Sequence, residues 1–555
     1  MRSRLIRSTI GFVAALACLY LSASWVVRAQ TPGVPTSVVN TKHNLSAHGP
    51  GTVKATSEQE VCIFCHTPHN ATPVQPLWNR TLSLSAYNTY TSNSLKALPN
   101  QPTGESKLCL SCHDGTIALG SVASRGQPIQ MANGITTLPP GTTNLGTDLS
   151  DDHPISFTYD STLVTKNPKL KSPRALPPTV RLDRNNELQC TTCHDAHNNQ
   201  FGNFLVMGND NSALCNTCHT MGQNQVVQHT TCDTCHRAHT APSGPYLLAQ
   251  AKVSDTCLTC HSGGIGANQG ANVASGINAV YPHDTRSAVN LANHIPNNSD
   301  CKDCHEPHTM APAIAATPAP GLPPSLGAID GVSINGASLK QAQFGYEVCL
   351  KCHAENAATI TGTVSRQITQ TNMRLQFAPS AVSFHPVAVK GLNMNVTSLR
   401  PPYTITSMIA CTDCHGSDTS KAAGGLGANG PHGSSFTGIL LARYETADFT
   451  PYSTTAYALC FNCHDNTKVV ADSGPFPWHD THVNKSQTPC SACHDSHGIS
   501  SAQGTALKNA TLMNFDTSIV FPEDVTGRLE YNHTGDGHGT CWVKCHGKNH
   551  SGTAY

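Results

Sequence analysis

The chain has 555 residues, with 34 basic and 34 acidic side chains and a formal net charge of zero. Charged residues make up only 12% and aromatics 6%, while glycine and proline contribute 43 and 36 residues. A chain so rich in turn formers and so poor in large apolar side chains cannot offset its ordering entropy with an ordinary core, so it is either largely disordered or filled by something other than side chains; nothing in it points to nucleic acid.

From the N-terminus, MRSRLIR is followed by an apolar run from Ile10 to Val27 and by Val27-Arg28-Ala29 before Gln30. This reads as a secretory signal peptide over 1–29, so the working chain is exported. The run is also long enough for an uncleaved anchor, against which Ser22, Ser24 and the Ala-Gln exit argue. Cys18, in Ala-Leu-Ala-Cys, faintly resembles a lipidation site, but the apolar run continues past it.

Beyond the leader, a five-residue pattern, C-x-x-C-H, recurs. Its copies are Cys62, Cys65 and His66; Cys109, Cys112 and His113; Cys190, Cys193 and His194; Cys215, Cys218 and His219; Cys232, Cys235 and His236; Cys257, Cys260 and His261; Cys301, Cys304 and His305; Cys349, Cys352 and His353; Cys411, Cys414 and His415; Cys460, Cys463 and His464; and Cys490, Cys493 and His494. A twelfth, CWVKCH, has one extra residue between Cys541 and Cys545, followed by His546. These sites use 24 of the 25 cysteines, which leaves none beyond the leader for a disulfide or a catalytic thiol.

C-x-x-C-H is the attachment signature of c-type haem. Two thiols one helical turn apart form thioethers with the vinyl groups along one side of the macrocycle, and the histidine then supplies an axial nitrogen. Zinc knuckles need four ligands at other spacings, and a redox dithiol needs no trailing histidine. Twelve haems c solve the composition problem: the porphyrins are the core, and the chain is a wrapping pinned by thioethers. Their propionates make the holoprotein acidic.

Five sites carry a second histidine three residues after the first, as in CTTCHDAH at 190–197. Residues three apart share a helical face, so the second cannot reach the far side of the same haem. As a ligand it must bind a different one, which brings two irons close; as a bystander it is a surface residue or a propionate partner. The sites also fall into pairs, each with two spare histidines. Distal ligands are expected as His43 and His69 for the pair at 62 and 109, His153 and His197 for 190 and 215, His229 and His239 for 232 and 257, and His294 and His308 for 301 and 349. His385 and His432 serve 411 and 460, with His432 replacing the missing second histidine, and His482 and His497 serve 490 and 541. Rivals stand nearby at His48, His283, His479, His533, His538 and His550. Methionine ligation is chemically open but not needed.

Between sites there is little sustained periodicity. The expected fold is therefore mostly coil and short helices wrapped around a haem array, with little strand. The stretch 311–343 is rich in Pro, Ala and Gly and reads as a linker. It separates an N-terminal module, 30–310, with seven sites from a C-terminal one, 344–555, with five. The stretches 121–150 and 416–440 read as loops.

The segments VCIFCHTPHN (61–70), LCLSCHDGTIALG (108–120), DDHPISF (151–157) and ELQCTTCHDAHNNQFGNFL (187–205) resemble the multihaem c-type cytochromes with doubled CxxCH motifs found in metal-reducing bacteria. That resemblance implies electron transfer through periplasm and outer membrane to extracellular acceptors such as metal oxides. It implies as partners other cytochromes or redox proteins, an outer-membrane porin, or further copies of the chain in a filament, with a location in the periplasm, at the outer-membrane surface or outside the cell. The sites then carry electrons and no iron is catalytic. The competing expectation is a multihaem reductase with one open iron, for which 541–546 is the natural place.

Overall fold

The computed structural model describes residues 37–71, 77–221, 229, 231–242, 245–263, 271–283, 299–311, 317–355, 363–471 and 476–555. The leader, 1–29, and His294 lie outside the described residues. Two compact units divide between Thr220 and Met221.

Regular elements are short. The longest helices are α1 (Gly104–His113), α2 (Val253–His261) and α3 (Gly345–His353), and each ends on a C-x-x-C-H histidine. Their first turns carry Glu105, Asp255 and Glu347, where acidic groups favour the helix N-terminus. The Glu347 carboxylate also accepts the backbone N–H groups of Gln343 and Phe344, at 2.7 and 3.0 Å, which caps α3. Most strands are two-residue pairings, such as Asn88–Thr89 with Asp148–Leu149 and Ser383–Phe384 with Gly498–Ile499. Among the described residues no helix is long and apolar enough to cross a membrane.

Packing follows the same economy. Apolar residues gather in several small clusters, and most of them abut cysteines of the repeated sites. Ile63, Phe64, Leu119 and Met131 pack beside Cys65 and Cys112, and Tyr457, Phe461, Val470 and Val483 beside Cys460 and Cys490. Mostly coil and short helix, as expected, the chain departs from the sequence reading in two places.

The first departure is 311–343. Its described part, 317–343, belongs inside the second unit. Strands β1 (Gly331–Val332) and β2 (Ser338–Leu339) form a hairpin, and Ile329 and Ala342 are buried against Val348 of α3. Gly331 permits the approach: a Cβ there would meet the Cβ of Ala342 at 3.0 Å and the Glu347 carbonyl at 3.1 Å. Pro and Gly mark tight, packed turns here as readily as they mark a spacer.

The second is a three-stranded antiparallel sheet, β3 (Glu530–Gly535), β4 (His538–Cys545) and β5 (Lys548–Ala554). It contains the widened site. One of its turns, Asp536-Gly537, is a hairpin dipeptide by composition, but its strands are too polar to announce themselves by alternation.

One buried group holds the first unit together. Arg80 is fully buried, and its guanidinium donates to the carbonyls of Ser111 (3.1 Å), Ala118 (3.1 Å) and Leu119 (2.7 Å). It thereby ties the end of α1 to the loop that follows it. Replacing Arg80 with Leu strands these carbonyls without a donor and is expected to cost about 3 kcal/mol. A urea titration of the full-length protein followed by Soret circular dichroism checks this as a lowered midpoint, which Arg80→Lys partly restores.

Candidate haem-binding sites

At eight C-x-x-C-H sites the histidine N–H donates to the carbonyl of the first cysteine, at 2.8–3.0 Å: His66, His194, His219, His236, His305, His415, His464 and His494. This single helical turn puts the two thiols, three residues apart, on one face.

A second device, absent from the sequence reading, fixes the ring. After five of the first-member sites the chain returns with one or two residues in the left-handed region and clamps the motif. These are Leu77, Asn203 and Phe204, Tyr246 and Leu247, Gly438 and Ile439, and Thr511 and Leu512. The clamp adds two backbone bonds. The residue after the motif histidine donates to one clamp carbonyl, as Asp195 does to Phe204, Arg237 to Leu247 and Gly416 to Ile439. The next clamp N–H groups donate back to the second cysteine, as Val206 does to Cys193, Ala249 to Cys235 and Leu441 to Cys414. The preceding clamp carbonyl accepts from the ring itself: Nδ1–H of His194, His236 and His415 donates to Asn203, Tyr246 and Gly438, at 2.9, 2.7 and 2.8 Å. His305 uses Ser325 in the same way, at 2.8 Å, from within the expected linker. His113 and His261 donate to the carbonyls of Thr143 and Ala271. A carbonyl can only accept, so the proton is on Nδ1 and Nε2 keeps its lone pair for a metal.

The clamp lies 9, 10 and 23 residues beyond His194, His236 and His415. That variable span hides it from a search for fixed spacing. Its one sequence trace is a pair of apolar residues: Leu77-Trp78, Phe204-Leu205, Leu247-Leu248, Ile439-Leu440 and Leu512-Met513.

The thiols lie in apolar slots. Burial, aided by neighbouring thiols, pushes Cys65, Cys193, Cys304, Cys414, Cys460, Cys490 and Cys493 up to about 12. Each slot borders the next site in the chain. In the first unit Cys65 lies near Cys112, Cys109 meets Cys190, and Cys193 lies near Cys218. In the second, Cys235 lies near Cys260, Cys257 meets Cys301, Cys304 lies near Cys349, and Cys349 meets Cys411. Cys414 then neighbours Cys463, Cys460 neighbours Cys490, and Cys493 neighbours Cys541. Within each unit the sites follow one another in sequence order.

Histidine rings face each other in eleven pairs among the described residues. Four join a first-member histidine to one from a later site: His66 with His197, His236 with His308, His305 with His432 and His415 with His497, at 6.0, 6.2, 6.3 and 5.9 Å between ring centres. Five join a second-member histidine to one upstream: His113 with His43, His219 with His153, His261 with His229, His353 with His283 and His464 with His385, at 6.2–6.4 Å. The last two are His494 with His479, at 6.5 Å, and His482 with His550, at 6.2 Å.

The distance is nearly constant, while the angle between planes runs from 6° for His305 and His432 to 80° for His153 and His219. Ring stacking would select the angle and tolerate a range of distance. A metal ion between two nitrogens does the reverse: it fixes the distance and leaves rotation about the axis free. Two bonds of about 2 Å, plus about 1.1 Å from each nitrogen to its ring centre, give about 6.2 Å. The residues present fit an iron held on both faces. Burial, with the facing ring adding to it, lowers His353, His432 and His464 to about 4, so these imidazoles are neutral, as a ligand must be.

These pairs redraw the expected ligand map. His43, His153, His229 and His385 stand opposite a histidine of the pair to which they were allotted. His197, His308, His432 and His497 instead face the first histidine of the preceding pair. For these four the facing ring lies one pair back. His283, not described His294, stands opposite His353, and His479 stands opposite His494. His69 and His239 are exposed. His482 faces His550, with His546 elsewhere.

Thiol pairs beside a histidine whose Nδ1 is held by a carbonyl, repeated along a chain with few core residues, define a protein that binds haem c covalently and many times over. Two stretches, 184–223 and 224–265, match the doubled CXXCH motif family. Residues 334–507 match the family described as outer membrane cytochrome MtrC/MtrF-like, domains II/IV. The chain is a multihaem c-type cytochrome of the doubled-CxxCH kind. A comparison with curated proteins gives no match.

Gly438 sits at φ +74°, a conformation that a β-branched side chain resists. Gly438→Val is expected to displace the carbonyl that accepts from His415, weaken the imidazole as a donor to ferric iron, and raise the potential of a single haem. Spectroelectrochemical titration checks this: one component moves up while the others hold.

Proposed function

We propose that the protein is an electron conduit of twelve covalently bound haems c, each iron held between two histidines. The observation that carries this reading is the near-constant spacing of the facing rings at widely varying angles. Bound there, each haem iron takes up and releases one electron. The chain's own residues do the rest. In the facing pairs, histidines on both faces leave no position for a substrate, carbonyl acceptors fix the tautomer of rings such as His236, His305 and His415, and buried thiols keep the haem edges in apolar slots.

The order of sites gives the conduit its direction. Neighbouring thiols set consecutive haem edges against one another, in chain order within each unit. The histidines that follow the first-member motifs add a second link. Four of them, His197, His308, His432 and His497, follow the motif that holds one haem and reach back to the iron of the preceding pair. Every such peptide therefore fixes the distance between two irons, the quantity on which tunnelling depends most steeply.

The MtrC/MtrF-like stretch supports a place at the outer membrane and delivery to external acceptors, metal among them. Export by the 1–29 leader agrees with that place. Other cytochromes, an outer-membrane porin or further copies of the chain are the partners such a conduit needs at its ends.

The test is a haem count by intact mass together with ferric EPR. Twelve haems and only low-spin signals are expected, with no carbon monoxide binding after reduction. Two kinds of low-spin signal are also expected. The four first-member pairs joined to later histidines have nearly parallel planes, 6–18°, and should give rhombic spectra. The pairs at His113, His219 and His464 are crossed at 71–80° and should give large-g signals. A high-spin signal near one haem per chain, with matching carbon monoxide uptake, would replace the conduit with a reductase.

A further inference from the structure

The widened site, CWVKCH, departs from the other sites in every respect that bears on its axial ligand. It lies on strand β4 and not on a helical turn. Along a strand, side chains alternate between faces. Cys541, Val543 and Cys545 therefore share one face, and all three pack toward the cluster of Met513, Phe515 and Tyr531. The residue after Cys545 does not share it. His546 and Gly547 form the two-residue turn between β4 and β5, with φ of +50° and +74°. Both positive values fit a type I′ hairpin turn.

His546 is also engaged elsewhere. Its Nε2 lies 2.9 and 3.0 Å from the two carboxylate oxygens of Asp448, and its ring stacks on Phe449 at 4.4 Å. A carboxylate accepts, so the proton is on Nε2. This inverts the arrangement at His194, His236, His305 and His415, where Nδ1 carries the proton. The nitrogen that a motif histidine would give to iron is here the hydrogen-bond donor.

His550 has the properties that His546 lacks. In the β4–β5 pairing it stands directly opposite Val543, the residue midway between the two cysteines. Cross-strand partners share a face, so His550 projects on the side that carries both thiols. Its ring faces His482 at 6.2 Å and 34°, within the distance range of the other pairs. His482 is oriented as a ligand: its Nδ1–H donates to the Trp478 carbonyl at 2.7 Å, leaving Nε2 free.

We propose that the haem attached at Cys541 and Cys545 takes His482 and His550 as its axial pair, and that His546, the histidine of its own motif, is a positioning residue. The Asp448 carboxylate and Phe449 hold the hairpin turn, and the hairpin presents His550 to the iron. This rests on the reading of the facing rings as axial pairs, and the test separates the two.

Two variants of the full-length holoprotein, His550→Leu and His546→Gln, are compared with the parent by intact mass, ferric EPR and carbon monoxide difference spectra. His550→Leu leaves the attachment motif intact. It is expected to keep twelve haems and to gain a high-spin signal and carbon monoxide binding equal to about one haem in twelve. His546→Gln with twelve haems is expected to stay wholly low-spin. Should it carry only eleven haems, the decision falls on His550 alone. His550→Met gives a positive signature there: a thioether-to-ferric-iron charge-transfer band of one-haem intensity. No change in either His550 variant overturns the proposal, as does a high-spin haem in His546→Gln with all twelve haems attached. Failure of the conduit reading shows separately, as carbon monoxide binding already in the parent protein.

Discussion

An iron in a porphyrin plane has one free position on each face, and a rigid macrocycle keeps those two positions apart. Any peptide short enough to supply both thioethers and the first nitrogen is confined to one face. The second nitrogen must therefore come from another part of the chain. This constraint organises the molecule. On the proposed ligation each site recruits a distant histidine, and the ring pairs seen here are each presented by a separate loop or turn of the chain. Apolar clusters are small and dispersed because they only wall in the thiols.

On the proposed ligation, the direction of recruitment separates two classes of haem. Second-member histidines face a ring upstream of their own pair, as His113 faces His43 and His464 faces His385. Four first-member histidines face a ring from one pair further on, as His236 faces His308. The first kind closes a pair and the second stitches pairs together. The plane angles divide along the same line: near-parallel for the stitching histidines, wider for the closing ones. A ring angle alters the splitting of the iron d orbitals and so shifts its potential. An alternation in topology is thus an alternation in electronic environment.

Much of this was legible in the residues, and what was not has physical causes. The thioether cysteines and motif histidines form a fixed local pattern, so sequence alone locates them. That the second histidine of CTTCHDAH faces away from its own site follows from helical spacing. Which haem it faces does not, because it depends on where the loop after His194 turns, and that turn rests on the left-handed pair Asn203 and Phe204. The clamp itself acts through backbone groups, which any residue supplies. Only its conformation is demanding, and Asn203, Tyr246 and Thr511 meet that demand without a shared side chain. The Pro/Gly/Ala run at 311–343 misleads for a related reason: the carbonyl of Ser325 that orients His305 leaves no mark in composition.

The last pair departs from the scheme. Among the first-member histidines in facing pairs, His494 differs in facing a ring upstream of its own motif, His479. The turn 479–482 answers with two histidines three residues apart, one facing His494 and the other His550. Three residues along a π-helical turn, Asp480–Lys485 with His479 at its start, aim the two rings at different partners. The strand fits the same arrangement: on the proposed ligation, the three-stranded sheet lets a cross-strand neighbour, His550 opposite Val543, stand where a helical turn would have placed the motif histidine. The extra residue in CWVKCH is then the mark of an extended backbone: four residues apart on a strand, the two cysteines still share a face, as three residues apart they do on a helix.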